Sequence, residues 1–147
     1  MKKLARFFLR PYEEKKLIAQ AMFWVIFFRA CLSLLPYKLL RKFAPFDNQN
    51  HGDDVEVDWD VVRNVVRSVR VCSRYIPSAS CLTQALATRS ILLSKGQTCY
   101  LKIGVGRDDD DNFIAHAWIE SNGRIIIGKS ADIYRYTSLS GSKRQAV

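Results

Sequence analysis

The chain has 147 residues, 48% hydrophobic and 25% charged, enough for one domain with a real core and too apolar for a disordered segment. A pI near 9.6 and a net charge of +9 point to acidic partners, whether nucleic acid, anionic lipid or acidic peptide, without choosing among them. Cys31, Cys72, Cys81 and Cys99 show no Cys-x-x-Cys spacing, and neither His51 nor His116 pairs with a cysteine at ligand spacing, which argues against zinc and against a disulfide framework, so the thiols are expected reduced in the cytoplasm.

The positive excess is uneven. Residues 1–45 hold ten basic residues against Glu13 and Glu14, and the rest is close to neutral. This favours a binding surface on the N-terminal segment over a globally basic chain, and no nucleic-acid partner is expected. The start, Met1–Pro11, has the charge of a secretory n-region, but Arg10, Pro11, Glu13 and Glu14 cut its apolar run and no small-residue cleavage site follows. Residues 12–34 read as helix, with Pro11 placed to start it and Pro36 to stop it. Leu17, Ala21, Trp24, Phe28, Cys31 and Leu35 form one stripe, while Ile18, Met22, Val25, Phe27 and Leu32 fill much of the remainder. A helix apolar nearly all round is either buried or embedded in a membrane. Its longest polar-free run, Ala21–Phe28, is far shorter than the roughly 20 apolar residues a span needs. The expectation is a buried helix, or one docking on a membrane surface or a partner. Leu34–Phe43 then reads as a short amphipathic helix with a solvated basic face.

Asp47–Asp54 is polar without periodicity, a loop and the best domain boundary, and it holds His51 as a solvated histidine. The reading is therefore a basic, apolar helical segment over 1–47, a core over 55–139 and a frayed tail over 140–147. A helix follows from about residue 59, with Asp58 as its N-cap. Val62, Val65, Val66, Val69 and Cys72 form its apolar stripe, and Arg63, Arg67, Arg70 and Arg74 its other side. The 3–4 spacing outweighs the poor helix propensity of valine.

Ser78 or Ser80 caps the next helix, whose first turn holds Cys81. Leu82, Ala85, Leu86, Thr88, Arg89, Leu92 and Leu93 are its expected buried face, and Gly96 stops it. A thiol in a first turn faces free backbone N–H groups and the positive end of the helix dipole. Both favour thiolate over a thiol whose pKa starts near about 8.5. The Cys81 N–H is also available to an oxyanion. Cys31, Cys72 and Cys99 lack this setting and read as core.

Thr98–Val105 alternates as a strand, and Gly106–Asn112 is an exposed turn with four successive aspartates, Asp108–Asp111. Adjacent carboxylates point in different directions, so the turn reads as solvated rather than as a metal site. Phe113–Glu120 is the next strand, with Ile114, His116, Trp118 and Glu120 on one face and Phe113, Ala115, Ala117 and Ile119 on the other. Ser121-Asn122-Gly123 signals a hairpin returning through Arg124–Gly128. One more short strand is expected in the tail, packing through Tyr134, Tyr136 and Leu139.

Ser80-Cys81-Leu82, Ala85-Leu86-Ala87, Leu92-Leu93 and Gly96, with Ile103-Gly104-Val105, Phe113-Ile114-Ala115-His116-Ala117-Trp118-Ile119-Glu120 and Gly123-Arg124, resemble the peptidase proteins of lasso-peptide biosynthesis. These belong to the transglutaminase-like branch of the papain-like cysteine proteases. The resemblance covers roughly residues 72–139, and more weakly the N-terminal basic and Leu-Leu-Pro pattern. It implies an α+β fold with a nucleophile helix packed on a small antiparallel sheet. It implies Cys81 as nucleophile and His116 as general base and acid, in leader removal from a ribosomally made precursor peptide. The implied partners are that precursor, a separate small leader-recognition protein and an asparagine-synthetase-like macrolactam synthetase. No recognition domain is expected before residue 47. No Gly-rich phosphate loop is present, so neither ATP nor another cofactor or metal is expected on this chain.

The family's third member, an Asp orienting the histidine, is where the sequence departs. A three-residue hairpin loop centred on Asn122 would set His116 opposite Gly128, which carries no carboxylate. Asp132, four residues on, is the candidate third member. Glu120 shares the face of His116 but lies two strand steps away, roughly 13 Å.

Overall fold

A computed structural model describes residues 12–34, 56–130 and 133–138. The expected basic amphipathic helix, the polar linker with His51, Leu139, the tail and Asp132 lie outside the described residues. The elements run α1 (Tyr12–Leu34), α2 (Trp59–Ser73), α3 (Cys81–Ser94), β1 (Tyr100–Arg107), β2 (Phe113–Ser121), β3 (Arg124–Ile127), a 3-10 turn (Ile133–Arg135) and β4 (Thr137–Ser138). All pairings are antiparallel, in the order β3-β2-β1-β4. The fold is α+β, as expected.

Local chemistry sets the helix ends. Asp58 caps α2, its side chain accepting from the N–H groups of Asp60 and Val61. The valine stripe is buried as read, with Val65 and Val69 fully inaccessible. At the end of α3, the Gln97 N–H donates to Leu92 O and the Gly96 N–H to Leu93 O, with Gly96 at φ +72°. This is the Schellman pattern, and glycine adopts the left-handed conformation it needs without a Cβ clash.

The buried set of α3 is wider than one stripe. Thr83, Ala87 and Ile91 are fully or almost fully buried along with Ala85, Leu86 and Leu92, whereas Leu93 is exposed. The reason is position: α1, α2 and β2 all pack against α3, so it has no single solvent side.

Ala21 and Val25 of α1 are fully buried in the same core as α2, α3 and the sheet. Phe23, Ile26 and Phe27, on the far side of that helix, remain exposed. By length and composition α1 is long and apolar enough to cross a membrane. Here the face carrying Ala21 and Val25 lies in the core, with Leu17, Ile18, Met22, Trp24 and Phe28 packed around it, and the Cys72 thiol donates to Ile18 O at 3.6 Å.

The hairpin corrects the expected register. Its loop is two residues, Asn122 and Gly123, at φ 45° and 69°, the pair of positive values a type I′ turn requires. Ser121 pairs with Arg124 and Glu120 with Ile125, and a bulge then sets Ile119 opposite Ile127. The tail also differs from one simple strand, being a 3-10 turn followed by two residues of β4 on Gly104 and Val105.

Candidate active site

Cys81 is the first residue of α3, directly after the cap Ser80, whose hydroxyl accepts from the Thr83 N–H at 3.3 Å. Of the two serines left open by the sequence, Ser80 is the cap. The next donor, the Gln84 N–H, goes to Ser80 O. The N–H groups of Cys81 and Leu82 precede the first helical hydrogen bond and have no acceptor among the described residues. Two aligned donors beside a half-exposed thiol are what a developing oxyanion needs. Cys72 and Cys99 are buried. Burial raises the Cys72 thiol and lifts Cys99 to about 11, against a smaller opposing pull from Arg89.

His116 sits on β2 opposite Gly104 of β1. Its Nε2 lies 2.5 Å from Gly128 O. A carbonyl only accepts, so Nε2 carries a proton and donates it, which leaves Nδ1 as the ring nitrogen able to act as a base. The ring stacks on Trp118 at 6.2 Å between centroids and meets Tyr136 at 5.3 Å. Two glycines make this closeness possible. A Cβ on Gly104 would stand 2.7 Å from the Tyr136 Cβ and 2.9 Å from the Trp118 ring. A Cβ on Gly128, at φ +83°, would stand 2.6 Å from Ala117 O. The histidine is therefore held by a main-chain acceptor and two aromatic rings.

Glu120 does not reach this ring. Its carboxylate accepts from Trp118 Nε1 at 2.7 Å, which anchors the indole that His116 stacks on. His116 meets Gly128 as the sequence suggested, but through its ring and the Gly128 carbonyl rather than through strand pairing.

Strand alternation puts Leu101, Ala117 and Ile119 in the core shared with the helices and turns His116 and Trp118 to the other face. α3 packs on β2, on the face carrying Ala117 and Ile119, so the strand of His116 touches the helix of Cys81 while the imidazole itself lies on the other face. No hydrogen bond joins the thiol to the imidazole. Tyr136 and the Gly128 carbonyl are the site groups the sequence reading did not single out. A carbonyl has no sequence signature, and Tyr136 carried only the signal of a packing position in the tail.

Asp108, Asp109 and Asp111 of the aspartate turn have partners within the chain. Asp108 accepts from the N–H groups of Asp110 and Asn112 and from the Asn112 side chain, and these bonds, the Asn112 side chain foremost, hold its carboxyl below the usual range. Asp111 pairs with Arg107 at 2.6 Å and Asp109 with Arg135 at 2.7 Å. Among the described residues no group of three or more acidic, cysteine or histidine side chains could hold a metal ion.

A family model described as the transglutaminase-like superfamily matches residues 24–141. Nothing among curated proteins or solved structures matches the chain. The family match runs from within α1 through the capped cysteine helix, the histidine strand and β4, so a fold used by papain-like cysteine enzymes accounts for most of the sequence: the chain belongs to the transglutaminase-like superfamily.

Proposed function

We propose that the chain is a cysteine peptidase that removes the leader from a ribosomally made lasso precursor peptide and leaves the core for a macrolactam synthetase. The observation that carries this is Cys81 at the first position of a capped helix, its thiol beside free backbone N–H groups, with His116 oriented by the Gly128 carbonyl on the neighbouring strand. The segments around Ser80-Cys81-Leu82 and Ala115-His116-Ala117-Trp118 supply the leader-peptidase specificity within the wider family.

In this reading His116 Nδ1 takes the Cys81 proton and the thiolate attacks the scissile carbonyl carbon. The Cys81 and Leu82 N–H groups stabilise the oxyanion. Collapse breaks the C–N bond, His116 returns the proton to the departing amine, and the acyl group stays on sulfur as a thioester. Water, deprotonated by His116, then hydrolyses it and restores the thiol. In the free chain His116 lies on the face of β2 away from the helix core, so this reading requires that the Cys81–His116 pair forms only in the substrate complex. Asp132 is the proposed carboxylate behind the histidine, acting together with the Gly128 carbonyl. The precursor, a small leader-recognition protein and the synthetase are the proposed partners in the cytoplasm, and the exposed aromatic side of α1 is a proposed contact with a partner or membrane surface.

Incubating the chain with recognition protein and precursor should release the leader, read by mass spectrometry. Cys81→Ala should lower the rate by about three orders of magnitude or more, and His116→Ala comparably. Cleavage by Cys81→Ala at the wild-type rate would end this reading. Loss with Cys81→Ala but not with His116→Ala would assign the base elsewhere. The missing thiol–imidazole hydrogen bond favours one second reading, an inactive binding module of the same fold. That reading requires intact protein to leave the precursor uncut. Acyl transfer from glutamine-donor peptides, with the precursor uncut, would instead mark a different transglutaminase-like acyltransferase or amidase.

A further inference from the structure

Arg63, Arg67, Arg70 and Arg74 recur along α2 at steps of three and four and so line one side of the helix. Facing them, Arg124 of β3 lies over the Trp59 ring at 5.2 Å from its centre. Between these two walls runs an open groove of about 600 Å³. Its floor is aliphatic, formed by Val62, Val66, Val71 and Ile126. Neither Cys81 nor His116 borders it.

The charge in this groove is barely compensated. Arg63 pairs with Asp60 at 2.9 Å, with both side chains largely in solvent. Among the described residues no carboxylate pairs with Arg67, Arg70, Arg74 or Arg124. Asp111 is engaged with Arg107, Asp109 with Arg135, and Asp108 with the backbone of its own turn. Like charges one turn apart repel one another, and an anionic occupant would reverse that repulsion. The near-neutral balance of the residues after 45 thus conceals a local concentration of positive charge.

We propose that this groove binds an acidic peptide segment in extended conformation, its carboxylates on the α2 arginines and Arg124, and its apolar side chains on Val66, Val71 and Ile126. Charge complementarity selects an anion, and the shape and lining select a peptide. The aliphatic floor offers no stacking platform for bases, since its one aromatic ring is already covered by Arg124. A concave slot does not fit a lipid surface. The rim strand β3 is an edge of the sheet, and edge strands offer unpaired main-chain groups to an extended chain.

The test is fluorescence anisotropy with a fluorescein-labelled peptide alternating Glu and Val, titrated with the full chain at low salt. Binding is expected, it should weaken as salt rises, and a Lys–Val peptide should not bind. Arg67→Glu combined with Arg70→Glu, at two exposed positions, should weaken binding by about tenfold or more, and Arg124→Glu should do so from the opposite wall. Arg67→Gln with Arg70→Gln should fall between, and circular dichroism confirms that each variant is folded. Cys81→Ala should bind like wild type, which separates this site from the catalytic reading. The proposal is overturned if the folded Arg67→Glu/Arg70→Glu variant binds within about twofold of wild type. It is equally overturned if a single-stranded oligonucleotide or phosphatidylserine vesicles bind the groove in preference to the acidic peptide.

Discussion

His116 is held by an atom that no side-chain pattern encodes. Its Nε2–H donates to the Gly128 carbonyl, and that carbonyl is in place because residue 128 lacks a Cβ and takes a positive φ. The consequence is measurable against a second glycine. Gly96 has a similar φ of +72° but open space around it. Gly96→Ala should lose about 1–2 kcal/mol in urea unfolding from backbone strain alone. Gly128→Ala adds a 2.6 Å collision with Ala117 O and should lose about 3 kcal/mol or more, together with cleavage activity. Equal losses at the two positions would show that close approach at residue 128 does not matter. The sequence placed His116 opposite Gly128 by assuming a three-residue loop. The loop has two residues, and the bulge before Ile127 shifts the strand by one more. Bulges follow from packing across the sheet, which periodicity alone does not report.

At the level of elements, capping was the most legible feature. Asp58 was read directly, because an acidic residue before a 3–4 apolar pattern has one good use. Ser78 and Ser80 remained equal in the sequence, and the structure selects Ser80 by the bond from the Thr83 N–H. Ser80→Ala should therefore cost about 1 kcal/mol in urea unfolding. Ser78→Ala, at an exposed turn residue, should cost clearly less. The same cap leaves the Cys81 and Leu82 N–H groups pointing out of the helix end, so it joins helix stability to the chemistry proposed there. The wide buried face of α3 was not legible, because which elements surround a helix is a tertiary property.

For the whole molecule, the buried Cys99 thiol sets an alkaline limit. Its pKa rises from 9.0 to about 11, chiefly through burial, so the folded state holds this proton more tightly than the unfolded chain. Its contribution is fully present below pH 9.0 and is lost as pH rises towards about 11. Urea midpoints taken across that window should fall more steeply for wild type than for Cys99→Ala. Matching slopes would mean that the thiolate is not excluded from the core. Burial of Ala21 and Val25 likewise joins α1 to the core that α2, α3 and the sheet share.

The sequence by itself determined the three described helices and the main hairpin, the cap at Asp58, and the identities of Cys81 and His116 as the residues around which a cysteine-enzyme reading forms. Periodicity, capping and turn chemistry act within a few residues, so a linear pattern carries them. Tertiary structure alone decided that a main-chain carbonyl holds the imidazole and that α1 docks by the face carrying Ala21 and Val25. It also decided that the arginines of α2 meet Arg124 across a groove. Each of these depends on residues far apart in the chain brought together by burial of a common core, and the spacing of residues along the chain does not record that.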